Sequence, residues 1–426
     1  MKKFIVLDIN HGGDILASII KDRGNHVIAY DIYKTRKDKK QILNQKGIEV
    51  INSVDRDFSD YTVVYPIHCP NRFLSFFSNN EKMTHHEIVK LLFMEEKSTN
   101  ALIEITGSKG KTTTSYILAY LLSFEEETYL NSSRGFEKLT KGQSELVESD
   151  KSITPGYTAY LLSQYNEGSY VLEESLGVSG IGDISILTST NPIYEIKEGG
   201  GNSLEAKKQI FSLSEGTILI DGNDKNANYF ANKCGKEVFR AWEDAFIEIP
   251  DGLEIGKDVD SLIYIDEKEL YVKLSGNYLL AGYATPILFG TLSLKLLNKD
   301  LNKIPDYLSR FDGVEKKLLV SKNNGFTKIT DKSGGFSEDS LRYILSILKN
   351  NYDTSFNRIN LIIDICDQSH CQKINSIKLD EVVGEFNNFI DNAFCRGIQD
   401  FERFKYLRDF QELEIKKGDL IIECGK

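Results

Sequence analysis

Short apolar runs alternate with amphipathic segments along almost the whole chain. Residues 3–9 (KFIVLDI) form a β-rich apolar run, and after a Gly-Gly turn and a helix-like stretch, HVIAYDIY at 26–33 predicts a second strand. The segment VVYPIHCP (63–70) predicts a further strand that its two prolines end, and MTHHEIVKLLF (83–93) predicts a helix capped by Thr84. The chain therefore begins as a βαβ unit.

The alternation continues beyond a polar stretch at 95–100. From 101 to about 305, strands such as ALIEIT and ELYVKL alternate with helices, and the pattern repeats in the last third. Strands separated by helices predict mostly parallel sheets with helices on both faces. We therefore predict an α/β protein of three domains in series: a Rossmann-like domain at 1–97, a P-loop ATPase domain at 98–308 and a Rossmann-like domain at 309–426.

Composition and charge exclude several classes of protein. The 426 residues carry a formal net charge of -11, so the basic surface of a general nucleic-acid or anionic-membrane binder is not expected. The sequence has no unbroken apolar run of about 18 residues, the length that spans a bilayer, and MKKFIVLDIN predicts a first strand instead of a secretory signal. The six cysteines are sparse and form no CxxC pair, which predicts reduced thiols and a cytoplasmic protein.

A loop rich in glycine and lysine joins the strand ALIEIT to the next helix. Backbone N–H groups of such a loop converge on phosphate oxygens at the helix N-terminus. Lys111 is expected on the β- and γ-phosphates and the Thr112 hydroxyl on Mg²⁺. The loop is shorter than the general P-loop because Ile105 stands at the first glycine position, and the alternative is a plain surface turn. The residues expected to hold ATP are Gly107, Ser108, Lys109, Gly110, Lys111, Thr112 and Thr113.

Four segments together resemble the Mur ligases, ATP-dependent enzymes that join a carboxylate to a nucleophile through an acyl phosphate. They are ITGSKGKTTT, VLEES, LEAKKQIF and the tail KKGDLIIECGK. The resemblance implies ATP and Mg²⁺ as cofactors and Lys111, Lys207 and Glu173 as catalytic residues. Glu173 would bind magnesium with Thr112, and Lys207, carbamylated, would hold a second ion and the γ-phosphate. The alternatives are an exposed carboxylate at a strand end and a lysine on a solvated helix face.

The chain also departs from the Mur ligase pattern. The family's metal-binding histidine is missing from the segment Thr188–Tyr194, so Glu195 is the candidate for the second ion. LSGNYLLAGY stands where the family has its adenine-binding asparagine, and Lys316 or Lys317 stands for the arginine before the third domain. Asp331 matches the family's third-domain aspartate. The resemblance implies that this domain closes and brings Lys317 and Asp331 to the nucleotide.

Histidines concentrate in the first predicted domain. Five of the six lie among the first 86 residues, in part on an HGG turn, a PIHCP turn and the THHE start of a helix. In a doubly wound domain these three positions fall at the edge where ligands bind, and imidazoles there suit carboxylates or a metal-bearing ligand. The alternative is a set of unrelated surface and core histidines. The residues predicted to bind substrate are His11, Gly12, Gly13, His68, His85 and His86.

This arrangement resembles the branch of the Mur ligases in methanogenic archaea that makes coenzyme F430. The resemblance implies a small-molecule carboxylate substrate, a nickel tetrapyrrole seco-precursor, whose propionate is activated by ATP and attacked by a carbon nucleophile. Two alternatives stay open: a pseudomurein-type peptide ligase acting on a UDP-linked precursor, and a P-loop NTPase that delivers nickel or tetrapyrrole without forming a bond. We expect a monomer or homodimer without nucleic-acid or membrane partners. The segment CDQSHC at 366–371 is predicted to be a loop with reduced thiols.

Overall fold

The computed structural model describes eight segments of the chain. They are residues 1–95, 100–149, 151–165, 167–197, 201–332, 336–365, 375–397 and 402–425. The predicted boundary at 97 and the segment CDQSHC lie outside them. The chain folds into two compact units, the first formed by Met1–Ala245 and Pro286–Lys299, the second by Phe246–Thr285 and Asp300–Lys426.

The first sheet of the first unit is parallel. Its strands are β1 (Lys3–Leu7), β2 (His26–Tyr30), β3 (Glu49–Ile51), β4 (Thr62–Tyr65) and β5 (Lys82–Thr84), in the order β3-β2-β1-β4-β5. Its helices are α1 (Asp14–Asp22), α2 (Lys37–Gln45), α3 (Asn71–Leu74) and α4 (His85–Phe93). The predicted cap of α4 is confirmed, because Thr84 Oγ1 accepts from Glu87 N at 3.1 Å.

The second sheet of this unit is mostly parallel. Its strands are β6 (Leu102–Thr106), β7 (Thr128–Ser132), β8 (Gly135–Thr140), β9 (Gln143–Glu148), β10 (Ser169–Glu173), β11 (Ile184–Leu187), β14 (Thr217–Asp221) and β15 (Val238–Ala241). They run in the order β9-β8-β7-β10-β6-β11-β14-β15, with antiparallel pairs only among β7, β8 and β9. The short strands β12 (Glu195–Lys197) and β13 (Gly201–Asn202) form a separate antiparallel pair.

Helices flank this second sheet. They are α5 (Lys111–Leu122), α6 (Pro155–Gln164), α7 (Ser203–Lys207), α8 (Ile210–Leu213), α9 (Lys225–Ala231) and α10 (Leu280–Leu296), the last divided between the two units. A short strand, β16 (Ala245–Ile247), pairs with β15 through Ala245.

One apolar core joins the two sheets of the first unit. Side chains alternate along β1, so Phe4 and Val6 face one core and Ile5 and Leu7 face another. The core around Phe4 also contains residues of α1, α4 and α6. The carboxyl end of β1 is therefore held beside the start of α6, which belongs to the second sheet.

The second unit carries a six-stranded sheet. Its strands are β20 (Leu319–Asn323), β21 (Phe326–Lys332), β23 (Ile359–Asp364), β24 (Asn392–Arg396), β25 (Lys405–Tyr406) and β26 (Leu420–Gly425), in the order β20-β21-β26-β23-β24-β25. The other elements are β17 (Leu253–Glu254), β18 (Val259–Ile265), β19 (Lys268–Leu274), β22 (Tyr352–Asp353), α11 (Ile304–Ser309), α12 (Glu338–Asn351) and α13 (Ser376–Glu385). ELYVKL, predicted within the parallel pattern, lies instead in the antiparallel hairpin of β18 and β19.

The predicted α/β class with sheets rich in parallel strands is confirmed by these three large sheets. The domain boundaries at 97 and 308 stay predictions. Among the described residues, no helix combines the length and the apolar character needed to cross a membrane.

Candidate active site

The glycine-rich loop lies between β6 and α5, at the carboxyl edge of the sheet. Gly107 has a φ of 151°, and a Cβ there would clash with Thr188 Oγ1 and lie 2.9 Å from Ser189 N. The same Thr188 Oγ1 donates to Lys109 O at 2.6 Å. Only glycine fits at 107, because the loop packs directly against the end of β11.

Lys111, Thr112 and Glu173 meet around this loop. The Lys111 Nζ donates to Gly107 O at 2.8 Å, so the ammonium is folded over the loop. The Thr112 Oγ1 donates to Glu173 Oε2 at 3.0 Å, although the two residues are 61 positions apart. Glu173 ends β10, which pairs with β6, and it is almost fully buried. Its carboxylate and the threonine hydroxyl form an all-oxygen donor set of the kind that Mg²⁺ prefers.

Lys207 is buried beside Ser108 of the phosphate loop. Its Nζ donates to Ser108 Oγ at 3.1 Å and to Tyr194 OH at 3.4 Å, and the side chain is fully buried. Burial, and secondly the charge of Lys111, lower the pKa of Lys207 to about 7. The alternative of a solvated lysine is therefore wrong, and near neutral pH this amine is poised between its charged and neutral forms.

Two buried carboxyl groups behind the site were missed by the sequence analysis. Glu104 accepts from Gly180 N at 3.0 Å and Gly182 N at 2.8 Å, and burial raises its pKa to about 7. Glu174 accepts from Thr158 Oγ1 at 2.9 Å, and burial, with the neighbouring Glu104, raises its pKa well above the usual range. The sequence does contain one sign of a buried carboxyl group, because Glu104 stands inside the apolar run ALIEIT.

The turn after β1 brings two of the predicted histidines together around Asp8, which the sequence analysis did not select. Asp8 is 0% exposed and has a φ of 68°. Its Oδ2 lies 2.6 Å from His11 Nδ1 and 3.6 Å from His68 Nε2. Burial alone would raise the pKa of Asp8, but the hydrogen bonds from His11 and His68 outweigh it and hold the pKa below its usual value.

The predicted histidines divide into a pair that solvent reaches and a buried pair. The side chains of His11 and His68 are 49% and 25% exposed, and their rings are perpendicular with centroids 4.8 Å apart. His85 and His86, at the start of α4, are buried instead. Burial lowers the pKa of His85 to about 3 and that of His86 to about 4.

His86 and Gly12 contact residues that belong to the second sheet and its helices. His86 Nε2 lies 3.9 Å from Glu174 Oε2, and Gln209 Nε2 lies 3.4 Å from His86 Nδ1. Gly12 and Gly13 are buried, and a Cβ on Gly12 would lie 2.8 Å from Thr154 Oγ1. Close packing thus accounts for the glycine at 12, while a substrate role for these residues stays a prediction.

No family model matches the chain. In sequence it is similar to the coenzyme F430 synthetase of Methanosarcina acetivorans, with 25% identity over 377 residues that cover 81% of this chain and 80% of the relative. It is also similar to the coenzyme F430 synthetase of Methanocaldococcus jannaschii, with 22% identity over 449 aligned positions that cover 98% and 97%.

The structure is similar to that of MurF ligase from Thermotoga maritima in complex with ADP. The TM-score is 0.62 at 14% identity, over 94% of this chain and 91% of that one. The chain has the Mur ligase fold. The fold that the sequence motifs predicted is thereby confirmed. In sequence, the chain is similar to the two coenzyme F430 synthetases.

Three further residues that the sequence analysis selected, Lys317, Asp331 and Glu195, lie outside the phosphate loop. In the second unit, Lys317 Nζ donates to Lys332 O at 3.1 Å, and Asp331 Oδ1 accepts from Leu318 N at 3.2 Å. Glu195 begins the small strand β12 and is exposed. Nucleotide contacts of Lys317 and Asp331, and a metal role for Glu195, stay predictions.

Proposed function

We propose that this chain is an ATP-dependent, ADP-forming ligase that closes a carbocyclic ring on a nickel tetrapyrrole. A propionate oxygen of the seco-precursor attacks the γ-phosphorus of ATP, and ADP leaves as the acyl phosphate forms. A carbon of the same molecule then loses a proton and attacks the acyl carbon, so that a carbon–carbon bond forms and phosphate leaves. In sum, the tetrapyrrole loses the elements of water as ATP becomes ADP and phosphate.

The observation that supports ATP binding and acyl-phosphate formation is that Lys111, Thr112 and Glu173 lie together at the phosphate loop. Backbone N–H groups at the start of α5 would hold the phosphate oxygens, and Lys111 would exchange its bond to Gly107 O for the β- and γ-phosphates. Backbone N–H groups and an ammonium held at this loop would stabilise the charge that develops on the transferred phosphoryl group.

Thr112 and Glu173 would hold Mg²⁺. Their oxygen atoms fit this ion, because a nearly buried carboxylate and a hydroxyl already lie 3.0 Å apart at the phosphate loop. The ion would supply positive charge to the β- and γ-phosphate oxygens. Glu173 Oε2 also accepts from Ser133 N at 3.3 Å, which keeps the carboxylate aimed at the loop.

Lys207 would act as a carbamate. A neutral amine adds CO₂ and releases one proton, and a pKa of about 7 leaves a large share of this amine neutral at physiological pH. The product carries a negative charge beside Ser108, where it would bind the second metal ion proposed from the family resemblance. The carbamate also relieves the cost of an isolated buried ammonium beside Lys111.

The ring-closing half rests on similarity to two proteins named coenzyme F430 synthetase. One of these alignments covers 98% of the chain, so it includes the first sheet with the histidine turn as well as the phosphate loop. The turn offers imidazoles and no full G-x-G-x-x-G dinucleotide pattern. These features support a metal-bearing polycarboxylate over a UDP-linked substrate.

The test is ATP turnover with and without the nickel seco-precursor, with the mass of the tetrapyrrole followed in parallel. We expect one ADP for each tetrapyrrole that loses the elements of water. Turnover with a UDP-linked peptide and an amino acid instead would make the chain a peptide ligase. ATP turnover without any covalent product would make it a nickel- or tetrapyrrole-delivering NTPase.

A further inference from the structure

The turn after β1 sets one imidazole against a fully buried carboxylate. Asp8 Oδ1 accepts from Asn10 N at 2.9 Å, and Asp8 Oδ2 lies 2.6 Å from His11 Nδ1. Because an ionised carboxylate only accepts, Nδ1 carries the proton in this pair. When the ring carries a single N–H, its lone pair is therefore on Nε2.

The Nε2 of His11 is left for a partner from outside the chain. The His11 side chain is 49% exposed, and within the described part of the chain no group forms a hydrogen bond with Nε2. An imidazole that donates one N–H to a carboxylate is the usual form of a metal-binding histidine, since the carboxylate selects the tautomer and raises the basicity of the other nitrogen.

The turn that carries His11 is pinned on two sides. Lys39 Nζ donates to Ile9 O at 2.9 Å and to Asn10 O at 3.3 Å. On the other side, the Cβ position of Gly12 is 2.8 Å from Thr154 Oγ1 and 3.2 Å from Gly156 Cα. The backbone on both sides of His11 is thus fixed, and binding a ligand would not need to order it.

We propose that His11 Nε2 binds the nickel of the tetrapyrrole substrate as an axial ligand, with Asp8 as the positioning residue behind the ring. The inference rests on the proposed function, because the tetrapyrrole brings the nickel. The macrocycle fills the equatorial positions of the ion and leaves an axial one, which imidazole suits. The nitrogen donates its lone pair, and the nickel keeps its oxidation state.

A competing arrangement would capture a free metal ion with three ligands. Atoms of Asp8, His11 and His68 lie within 4.8 Å of one another and could surround an ion. Asp8 is 0% exposed, however, and both its oxygens already accept hydrogen bonds. An ion would have to displace His11 from the carboxylate, so the geometry favours an oriented imidazole over three-ligand capture.

The experiment compares the nickel seco-precursor, the metal-free seco-precursor and free Ni²⁺ on the full chain. Affinities are measured for the wild type and for His11→Ala, Asp8→Asn, His68→Ala and His26→Ala. Nickel-edge X-ray absorption of each nickel complex reports an axial nitrogen. Asp8→Asn keeps the side-chain shape and tolerates the positive φ. His26 begins β2 at the opposite end of the sheet, where it contacts Tyr61 OH at 2.9 Å, and serves as the control for losing a histidine.

We expect the axial nitrogen in the wild type, its loss in His11→Ala, and unchanged spectra in His26→Ala. His11→Ala should bind the nickel form at least about tenfold more weakly, and Asp8→Asn about 10- to 100-fold more weakly, the usual range for a group that orients a metal ligand. Both variants should bind the metal-free form as the wild type does, which a merely structural role for Asp8 would not produce.

Three results would overturn the inference. Equal affinity of the wild type for both forms, with no axial nitrogen but normal ring closure, would remove the nickel contact and leave the proposed function intact. Failure to bind either form would remove both. Stoichiometric binding of free Ni²⁺ that is lost equally in Asp8→Asn, His11→Ala and His68→Ala would replace the axial ligand with three-ligand capture.

Discussion

The phosphate loop after β6 and the histidine turn after β1 occupy equivalent positions in their sheets, but their binding groups are held in place in different ways. Both lie at the carboxyl ends of parallel strands in the first unit. The loop holds its groups through backbone approach, with Gly107 packed against Thr188 and Ser189. The turn holds its groups through a side chain, the buried Asp8.

The two sites also differ in the groups that select the ligand: backbone N–H groups in the phosphate loop and imidazole side chains in the histidine turn. Backbone N–H groups at the start of a helix bind any triphosphate. A phosphate loop can therefore be recognised in a sequence from its glycines alone. An imidazole selects its ligand only when something sets its tautomer and direction. In the histidine turn that partner is Asp8, and its effect depends on its burial.

Lys111→Met is expected to separate the two sites most strongly. Removing this charge from the phosphate loop should lower ATP turnover by about 100- to 1000-fold, as loss of a preorganised transition-state donor does. Binding of the nickel seco-precursor should not change, because the histidine turn keeps all its contacts. Steady-state kinetics and tetrapyrrole titration give both quantities, and a parallel loss of tetrapyrrole affinity would contradict the separation.

Lys207→Met should abolish turnover and, compared with the wild type in CO₂-free buffer, where Lys207 is a free amine, also stabilise the fold. The pKa of Lys207 is about 7 against 10.5 in the unfolded chain. Between these values the unfolded chain holds the proton and the folded chain does not, so wild-type stability rises with pH. The variant should lack this rise and, near pH 7, gain several kcal/mol in the free energy of unfolding, at about 1.4 kcal/mol per pKa unit.

Urea unfolding at pH 7 and pH 9 measures the effect of Lys207. The exposed neighbour Lys208, which pairs with Glu205, provides the matched control as Lys208→Met. Equal pH dependence in Lys207→Met and wild type would show that folding does not lower the pKa of this lysine.

Acid should weaken the region of the buried histidines. The pKa values of His85 and His86 are about 3 and about 4, below the usual 6.5, so the unfolded chain binds protons first. Their contribution is complete above pH 6.5 and is lost as pH falls toward 4, by up to about 1.4 kcal/mol per histidine and pH unit. Glu104 acts oppositely, because its raised pKa makes its contribution fall as pH rises from 4.5 through 7. The raised pKa of Glu174 acts in the same direction as that of Glu104.

The difference between wild type and His86→Gln isolates one histidine from that background. We expect the variant to lose less stability than the wild type between pH 6.5 and 4 in denaturant unfolding. His26→Gln, which removes a partly exposed histidine, should follow the wild type. A variant that follows the wild-type curve throughout would exclude His86 as an acid-sensitive group.

Gly12→Ala should produce the smallest effect, a local change in the histidine turn. At a φ of 90°, the new Cβ would press on Thr154 Oγ1 at 2.8 Å, a cost of about 1–3 kcal/mol typical of overpacking. Gly47→Ala is the control, since its φ of 70° is similar and its Cβ would meet open space. Thermal unfolding of both variants separates the clash from the backbone strain, and equal losses would exclude the clash.

Local patterns predicted the phosphate site better than the histidine site. Gly107, Gly110 and Lys111 form a pattern that a phosphate loop needs in sequence order, and the structure places the two glycines between β6 and α5 and Lys111 at the first position of α5. Asp8 falls inside the apolar run 3–9 that predicts the first strand, and nothing local indicated its φ of 68°. His85 and His86 were predicted at a ligand edge from their place in α4, yet packing against β1 and Gln209 buries both.

The sequence by itself determined the α/β class, the phosphate loop and the Mur ligase resemblance, because apolar periodicity and glycine spacing act between near neighbours. Only the tertiary structure decided which histidines are exposed, that Lys207 is buried beside Ser108, and that Glu173 meets Thr112. Each of these depends on elements that are distant in sequence, such as the 99 positions between Ser108 and Lys207. Burial and electrostatic environment are properties of packed elements, and no local pattern contains them.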